Sequence, residues 1–368
     1  MSNLHINKEL KSVKIGKHLI EIPIIQGGMG VGISWDKLAG TVSKEGGLGV
    51  ISGVGTGYYK NKNFSHRNIA GRPYEVENFY SRDALFEIFS NARKICGDKP
   101  LGCNILYAIN DYGRVVRDAC EAGANIIITG AGIPSNMPEF TRDFPDVALI
   151  PIVSSVRALK IIIKKWARYN KLPDAVILEG PLSGGHQGFT YEQCFQNEFQ
   201  LENLVAPVVE EANKFNIPVF SAGGIWDKND IDRMIELGSA GVQMGTRFIA
   251  THECDANLKF KELLLKTTKN DIILMKSPVG YPARGIKTSL HFKMETKTAP
   301  KVACISNCVS PCHRGEEAKA VGFCIADRLS DAYFGDTENG LFFSGSNGYR
   351  ANEIISVKEL INKLKNGE

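Results

Sequence analysis

The densest run of chemically useful residues is Glu179-Gly180-Pro181-Leu182-Ser183-Gly184-Gly185-His186-Gln187-Gly188. It ends a short apolar run, and an imidazole set among glycines there is suited to moving protons near neutral pH. A second set comprises glycines at the ends of three other apolar runs. These are Gln26-Gly27-Gly28-Met29-Gly30, Ser221-Ala222-Gly223-Gly224-Ile225 and Met244-Gly245-Thr246-Arg247. In the last two of these runs, backbone amides at Gly223 and Gly224, with Thr246 as a hydroxyl donor, suit an anion, and a phosphate-bearing ligand is expected there. A third set is Cys304-x3-Cys308-x3-Cys312-x11-Cys324. Four thiols so close together could ligate zinc or an iron–sulfur cluster, with His313 alongside; reduced surface cysteines fit the same spacing. No metal ligand is assigned beyond that.

The chain of 368 residues carries 44 Lys+Arg against 40 Asp+Glu, a formal charge of +4. That balance does not announce nucleic acid or an anionic membrane as a partner. No apolar run reaches the roughly 18–20 residues of a membrane span, and the N-terminus lacks an apolar leader core, so a cytoplasmic protein is the expectation. Glycine is enriched, at 37 residues, and clusters after β-branched runs. The nine cysteines, odd in number, argue against a disulfide scaffold.

Elements that could position these residues alternate along the chain. Strands are expected at Ile22–Gln26, Leu48–Ser52, Leu101–Leu106, Asn125–Thr129, Ala148–Val153, Ala175–Glu179, Ile217–Ser221 and Gly241–Met244. Helical periodicity lies between them, at 34–44, 83–95, 111–122, 155–169, 201–215 and 228–237, with a short helix at 138–144. Continuous apolar runs suit parallel strands buried on both faces. Eight βα units over about 230 residues match a (β/α)8 TIM barrel, and glycine-rich ends on several strands favour it over an open sheet. An inserted loop is expected after strand 2 (53–81). The barrel is assigned to residues 1–255, and 256–368 form a C-terminal extension packed on it, carrying the cysteine cluster and a terminal helix at 357–365.

Other residues rank lower. His252, Glu253 and Asp255 read as loop surface. Tyr58, Tyr59, Tyr107 and Phe189 are candidates for the substrate side, and Arg284 for a phosphate anchor. There is no G-x-x-x-x-G-K-[ST] cradle, and Gly53-Val54-Gly55-Thr56-Gly57 has the wrong spacing for a dinucleotide fingerprint.

The segment EGPLSGGHQG resembles the signature of the nitronate monooxygenase (2-nitropropane dioxygenase) family, which includes flavin-dependent enoyl-ACP reductases. PIIQGGMG, GLGVIS, GCNIL, SAGGI and QMGTRF follow the family's order, and SPVGYPAR (277–284) resembles a segment carried after its barrel. The resemblance implies an FMN-binding barrel and a flavoprotein oxidoreductase. It implies that Gln26, Gly27, Gly28, Met29 and Asn104 lie by the flavin and that Gly185, Gln187 and Gly188 approach it from the histidine loop. Ala222, Gly223, Gly224, Gly245 and Thr246 would hold the phosphate, and His186 would be catalytic. The implied activity is nitronate monooxygenation, giving a carbonyl compound and nitrite. The alternative is an NAD(P)H-dependent enoyl thioester reductase. A small-molecule substrate is expected, a homodimer is left open, and a non-catalytic flavin sensor or a sugar-phosphate isomerase fits less well.

Overall fold

In a computed structural model, which describes residues 9–59, 79–299, 308–310, 312 and 323–367, eight short strands run parallel in one sheet. They are β1 (Ile24–Gln26), β2 (Gly49–Ser52), β3 (Leu101–Leu106), β4 (Ile126–Gly130), β5 (Ala148–Val153), β6 (Val176–Glu179), β7 (Val219–Ala222) and β8 (Gly241–Met244). From β2 onward each pairs with the next in sequence, and β8 returns to β1. The seam between β1 and β2 is closed by a parallel bridge, Ile25 to Leu48, so the sheet is a TIM barrel.

The strands' apolar runs serve two interiors because successive side chains alternate across the sheet. Ile25, Val50, Ile128, Ile150, Ile177 and Phe220 fill the barrel. Ile24, Ile51, Ile127, Leu149 and Val176 face outward under the helices. An N-terminal hairpin, Val13–Ile15 with His18–Ile20, contributes Ile15 and Ile20 to the inner cluster.

The outer layer comprises α1 (Asp36–Lys44), α2 (Arg82–Cys96), α3 (Tyr112–Glu121), α4 (Met137–Phe140), α5 (Val156–Trp166), α6 (Leu201–Asn213), α7 (Lys228–Glu236) and α8 (Thr246–Ile249). Their starts carry local signals. Ser155 accepts from the Ala158 amide at 3.2 Å, and Asp227 and Asp230 form a reciprocal capping box on α7. The eighth helix is a single turn. The last helix of the chain, Val357–Asn366, packs against both α1 and α7 and takes its place in the ring. Among the described residues no helix is long and apolar enough to cross a membrane.

Two sequence expectations change here. Asp255 is no loop surface. Its carboxylate accepts from the amides of Trp35 (2.7 Å), Leu38 (3.2 Å) and Lys37 (3.3 Å) and so caps α1 from more than 200 positions away. Burial and the neighbouring Asp36 push its pKa up to about 7 against those donors. Glu253 likewise accepts from the Val357 amide at 2.9 Å, at the start of the terminal helix. Gln26, expected beside a flavin, points into the seam instead. Its Oε1 accepts from Val50 N–H at 3.0 Å and its Nε2 donates to Val50 O at 3.3 Å. A side-chain amide thus extends the ladder where β1 and β2 share one bridge. Most of the expected insertion after β2 lies outside the described residues.

Replacing the fully buried Gln26 with leucine should lower the unfolding free energy by about 2 kcal/mol, because the buried Val50 amide loses its acceptor. Urea denaturation would measure this; an unchanged midpoint would show that the seam needs no side-chain bridge.

Candidate active site

The C-terminal ends of the strands surround a cavity of about 530 Å³. Gly27, Gly28, Met29, Asn104, Gly185, His186, Gln187, Gly188, Ala222, Gly223, Gly224, Gly245 and Thr246 all line it. These are the sequence-assigned residues with Gln26 removed. Loops from β1, β3, β6, β7 and β8 converge because parallel strands in a barrel point their C-terminal ends to one face.

Close backbone approach explains two of the glycines. A Cβ on Gly28 would stand 2.3 Å from that of Asn104, so only glycine lets the β1 loop lie against β3. Gly223 has φ +101°, and a Cβ there would meet the Gly180 carbonyl at 2.8 Å. The β6 and β7 loops are thereby held together.

His186 lies on a two-residue strand, Gly185–His186, that pairs antiparallel with Pro282–Ile286. That strand is the second arm of a hairpin begun by Ile272–Lys276. The imidazole Nε2 is 2.8 Å from the Ser277 hydroxyl, and the Phe343 ring stands edge-on with centroids 5.4 Å apart. Burial pushes the His186 pKa down to about 4, so the ring is neutral at ordinary pH. Glu179, at the end of β6, also lines the cavity; burial raises its carboxyl to about 7, against the opposing effect of the Ser183 hydroxyl.

The C-terminal chain closes the glycine end. Gly345 N–H donates to Thr246 Oγ1 at 2.8 Å, Ser346 N–H to Leu182 O at 3.0 Å, and the Asn347 side chain to Gly224 O. Gly345, Asn347 and Gly348 line the cavity beside Gly224 and Thr246. Polar residues therefore gather at this end, while Leu106, Ala108, Ile133, Val279 and Val309 give apolar walls elsewhere.

A flavin mononucleotide fits these residues on an observation independent of the glycines. Gln243 lines the cavity, is 9% exposed, and its Oε1 has no hydrogen-bond partner among the described residues. An orphaned buried acceptor of this kind calls for a donor from a ligand. FMN offers both a ring N–H and ribityl hydroxyls.

Several expectations do not survive. Tyr58, Tyr59, Tyr107 and Phe189 do not line the cavity; they pack edge-on against Phe79, Trp35, Tyr112 and Phe199. The aromatic lining is Phe79, Trp226, Phe260, Tyr281 and Phe343. Arg284 is 7% exposed and donates to the Pro181 carbonyl at 2.9 Å, which makes it a brace of the histidine loop, away from the cavity lining. Cys304 and His313 lie outside the described residues. Among the described residues, no group of three or more His, Cys, Asp or Glu side chains is arranged to hold a metal ion. The sequence motifs contain Glu179 and Gln243 without giving either a place in the site, and Asn347 is not singled out in them. The first two sit at strand ends beside the chosen glycines, a positional signal that was available.

A family model described as nitronate monooxygenase matches residues 11–367. A probable nitronate monooxygenase from Staphylococcus saprophyticus is 29% identical over 290 residues, covering 75% of this chain and 78% of its own. Another, from Staphylococcus aureus, is 27% identical over 291 residues, covering 73% and 76%. Among solved structures, FabK from Thermotoga maritima superposes with a TM-score of 0.70 at 27% identity, covering 94% of this chain and 92% of that one. A nitroalkane oxidase from Streptomyces ansochromogenes shares the fold, with a TM-score of 0.65 at 20% identity, covering 93% and 94%.

Titration of His186 in the ligand-free protein should show a midpoint near pH 4 against the ordinary 6.5. Its unfolded imidazole takes up a proton first, so its effect is to cost stability as pH falls from 6.5 towards 4, with none lost above that window. Ring-proton NMR would test this. A midpoint near the ordinary value would mean that the pocket is wet.

Proposed function

Because the chain belongs to the nitronate monooxygenase family, and so is an oxidoreductase, we propose that it binds FMN and oxidises alkyl nitronates with O2 to a carbonyl compound and nitrite. The observation carrying this reading is His186 lining one cavity together with Gly223, Gly224, Gly245 and Thr246. The assignment of the barrel to 1–255 and of the extension to 256–368 belongs to the same proposal.

In this reading Gly223, Gly224, Gly245 and Thr246 hold the cofactor's phosphate. Thr246 Oγ1 already accepts from Gly345 N–H, which leaves its own proton to donate. Gln243 and Asn104 meet the polar edge of the ring or its ribityl chain, and Gly27, Gly28 and Met29 lie against it. When bound, FMN supplies the electron transfer with substrate and oxygen. The chain's part is to orient the substrate, exclude water and offer one imidazole within hydrogen-bond reach of the substrate's oxygens. A neutral imidazole suits an anionic nitronate without requiring a second charge in a buried site.

The second reading, NAD(P)H-dependent reduction of an enoyl thioester, draws on the near-complete coverage shared with FabK and on the cavity's apolar walls. There His186 would polarise the thioester carbonyl.

The purified protein should be yellow and consume oxygen with propionate 3-nitronate. Steady NAD(P)H oxidation dependent on crotonyl thioester, without nitronate turnover, would replace the first reading with the second. His186→Asn should keep the flavin and lose about 10²-fold or more in turnover, the usual scale for a group acting on the reacting atoms; full activity would remove His186 from the chemistry. Gly223→Ala should weaken FMN retention about tenfold or more, since it adds a Cβ at a left-handed φ against a carbonyl. Flavin fluorescence released on dilution would read it, and unchanged retention would place the phosphate elsewhere.

A further inference from the structure

We propose that Ser277 is a positioning residue that holds His186 as the Nδ1–H tautomer, so that the imidazole meets its substrate as a hydrogen-bond donor and not as a base. The tautomer follows from geometry alone, whereas its consequence for substrate choice rests on the nitronate reading above.

Ser277 is buried, 5% exposed, so its hydroxyl proton must find an acceptor inside the protein. Two contacts of Ser277 Oγ are present among the described residues. Val279 N–H points at it from 3.5 Å and can only donate. His186 Nε2 stands at 2.8 Å and can accept. The hydroxyl proton therefore goes to Nε2. A neutral imidazole that accepts at Nε2 carries its own proton at Nδ1. That nitrogen makes no hydrogen bond to the described residues, and the ring lines the cavity.

One hairpin fixes the whole arrangement. Ser277 directly follows the arm Ile272–Lys276, and Ala283 on the returning arm pairs with His186. Gly280 N–H donates to the Ser277 carbonyl at 3.0 Å, closing the turn between them. Phe343, edge-on to the imidazole, opposes rotation of the ring out of this position. Ser277 thus sets the ring's proton while the strand sets its backbone.

The consequence is a choice between two substrate classes. A nitronate is already an anion whose oxygens accept a hydrogen bond, and no proton need move at His186. A neutral nitroalkane must first lose its α-proton to a base. In this tautomer Nε2 is engaged by the Ser277 hydroxyl and Nδ1 already bears a proton, so the ring cannot take another without becoming charged in a buried site. The enzyme should therefore turn over nitronates and leave nitroalkanes essentially untouched.

The test is a long-range ¹H–¹⁵N correlation spectrum of FMN-loaded protein labelled with ¹⁵N-histidine, assigned by comparison with His186→Asn. At pH 7, Nδ1 should show the protonated-type shift and Nε2 the acceptor-type shift. A ring protonated mainly on Nε2, or on both nitrogens, overturns the proposal. Ser277→Thr should keep the wild-type pattern, and Ser277→Ala should average the two tautomers. With nitronate, Ser277→Ala should lose about tenfold in kcat with little change in KM, the scale of one oriented hydrogen bond. Turnover of neutral nitroalkane within tenfold of the nitronate also overturns it. The ring spectrum decides the tautomer whether or not nitronate is consumed, so failure of the functional reading shows separately, as absent oxygen uptake.

Discussion

Gly185 and His186 make up only two residues of strand, and a fragment so short holds no side chain in place by itself. It is held by Pro282–Ile286, which pairs with it in register, Ala283 opposite His186 and Arg284 opposite Gly185. The Gln187 amide extends the ladder to Pro282 O at 2.8 Å. Arg284 then reaches back to the Pro181 carbonyl, 103 positions away, and ties down the start of the same loop. A buried guanidinium is costly, and burial depresses its pKa, yet here it donates where the loop has a carbonyl to satisfy. The opposite side of that strand carries the C-terminal chain, with Ile286 N–H donating to Phe342 O at 2.8 Å. The barrel supplies a place for an imidazole; this small second sheet supplies its position.

The same burial sets the charge of the site. His186 is pushed towards neutrality and Glu179 towards its acid form, both chiefly by desolvation. Between about pH 4 and pH 7 neither carries its usual charge. The electrostatics at this end of the cavity are left to whatever binds. The glycine end differs: Gly223, Gly224, Gly245 and Thr246 line it, and backbone amides and a hydroxyl carry no formal charge of their own.

How much of this was legible in the sequence follows from which forces are local. The barrel strands are buried on both faces, so runs such as Leu101–Leu106 and Ala148–Val153 read as strands with the bounds later observed. Glycines after strand ends pointed to the cavity for the same reason, since a strand's end fixes where its loop begins. The hairpin that holds His186 was not legible. Its arms, Ile272–Lys276 and Pro282–Ile286, contain a lysine, a proline and a glycine, and the strand they serve is two residues long and far away in sequence. The direction of the Gln26 side chain was not legible, because a buried glutamine beside glycines fits either a ligand or a backbone ladder, and only its bonds to Val50 decide. The tyrosines were misplaced similarly. Tyr59 meets Trp35, and Tyr107 meets Tyr112, in edge-on ring contacts that periodicity does not encode.

The residues after the barrel do more than cover it. The eighth βα unit ends in one turn of helix, which would leave the groove between α1 and α7 open; Val357–Asn366 fills it with Val357, Leu360, Ile361 and Leu364. Just before that helix, Gly345 and Asn347 seal the loops of β7 and β8, and before them Phe343 stands against His186. Burial of four apolar side chains contributes several kcal/mol, on the order of 1.5–3 for each. Anchored at that end, the preceding segment lies over the cavity, which Phe343, Gly345, Asn347 and Gly348 help to line. Stability concentrated in the terminal helix is what lets glycine, serine and asparagine serve the site.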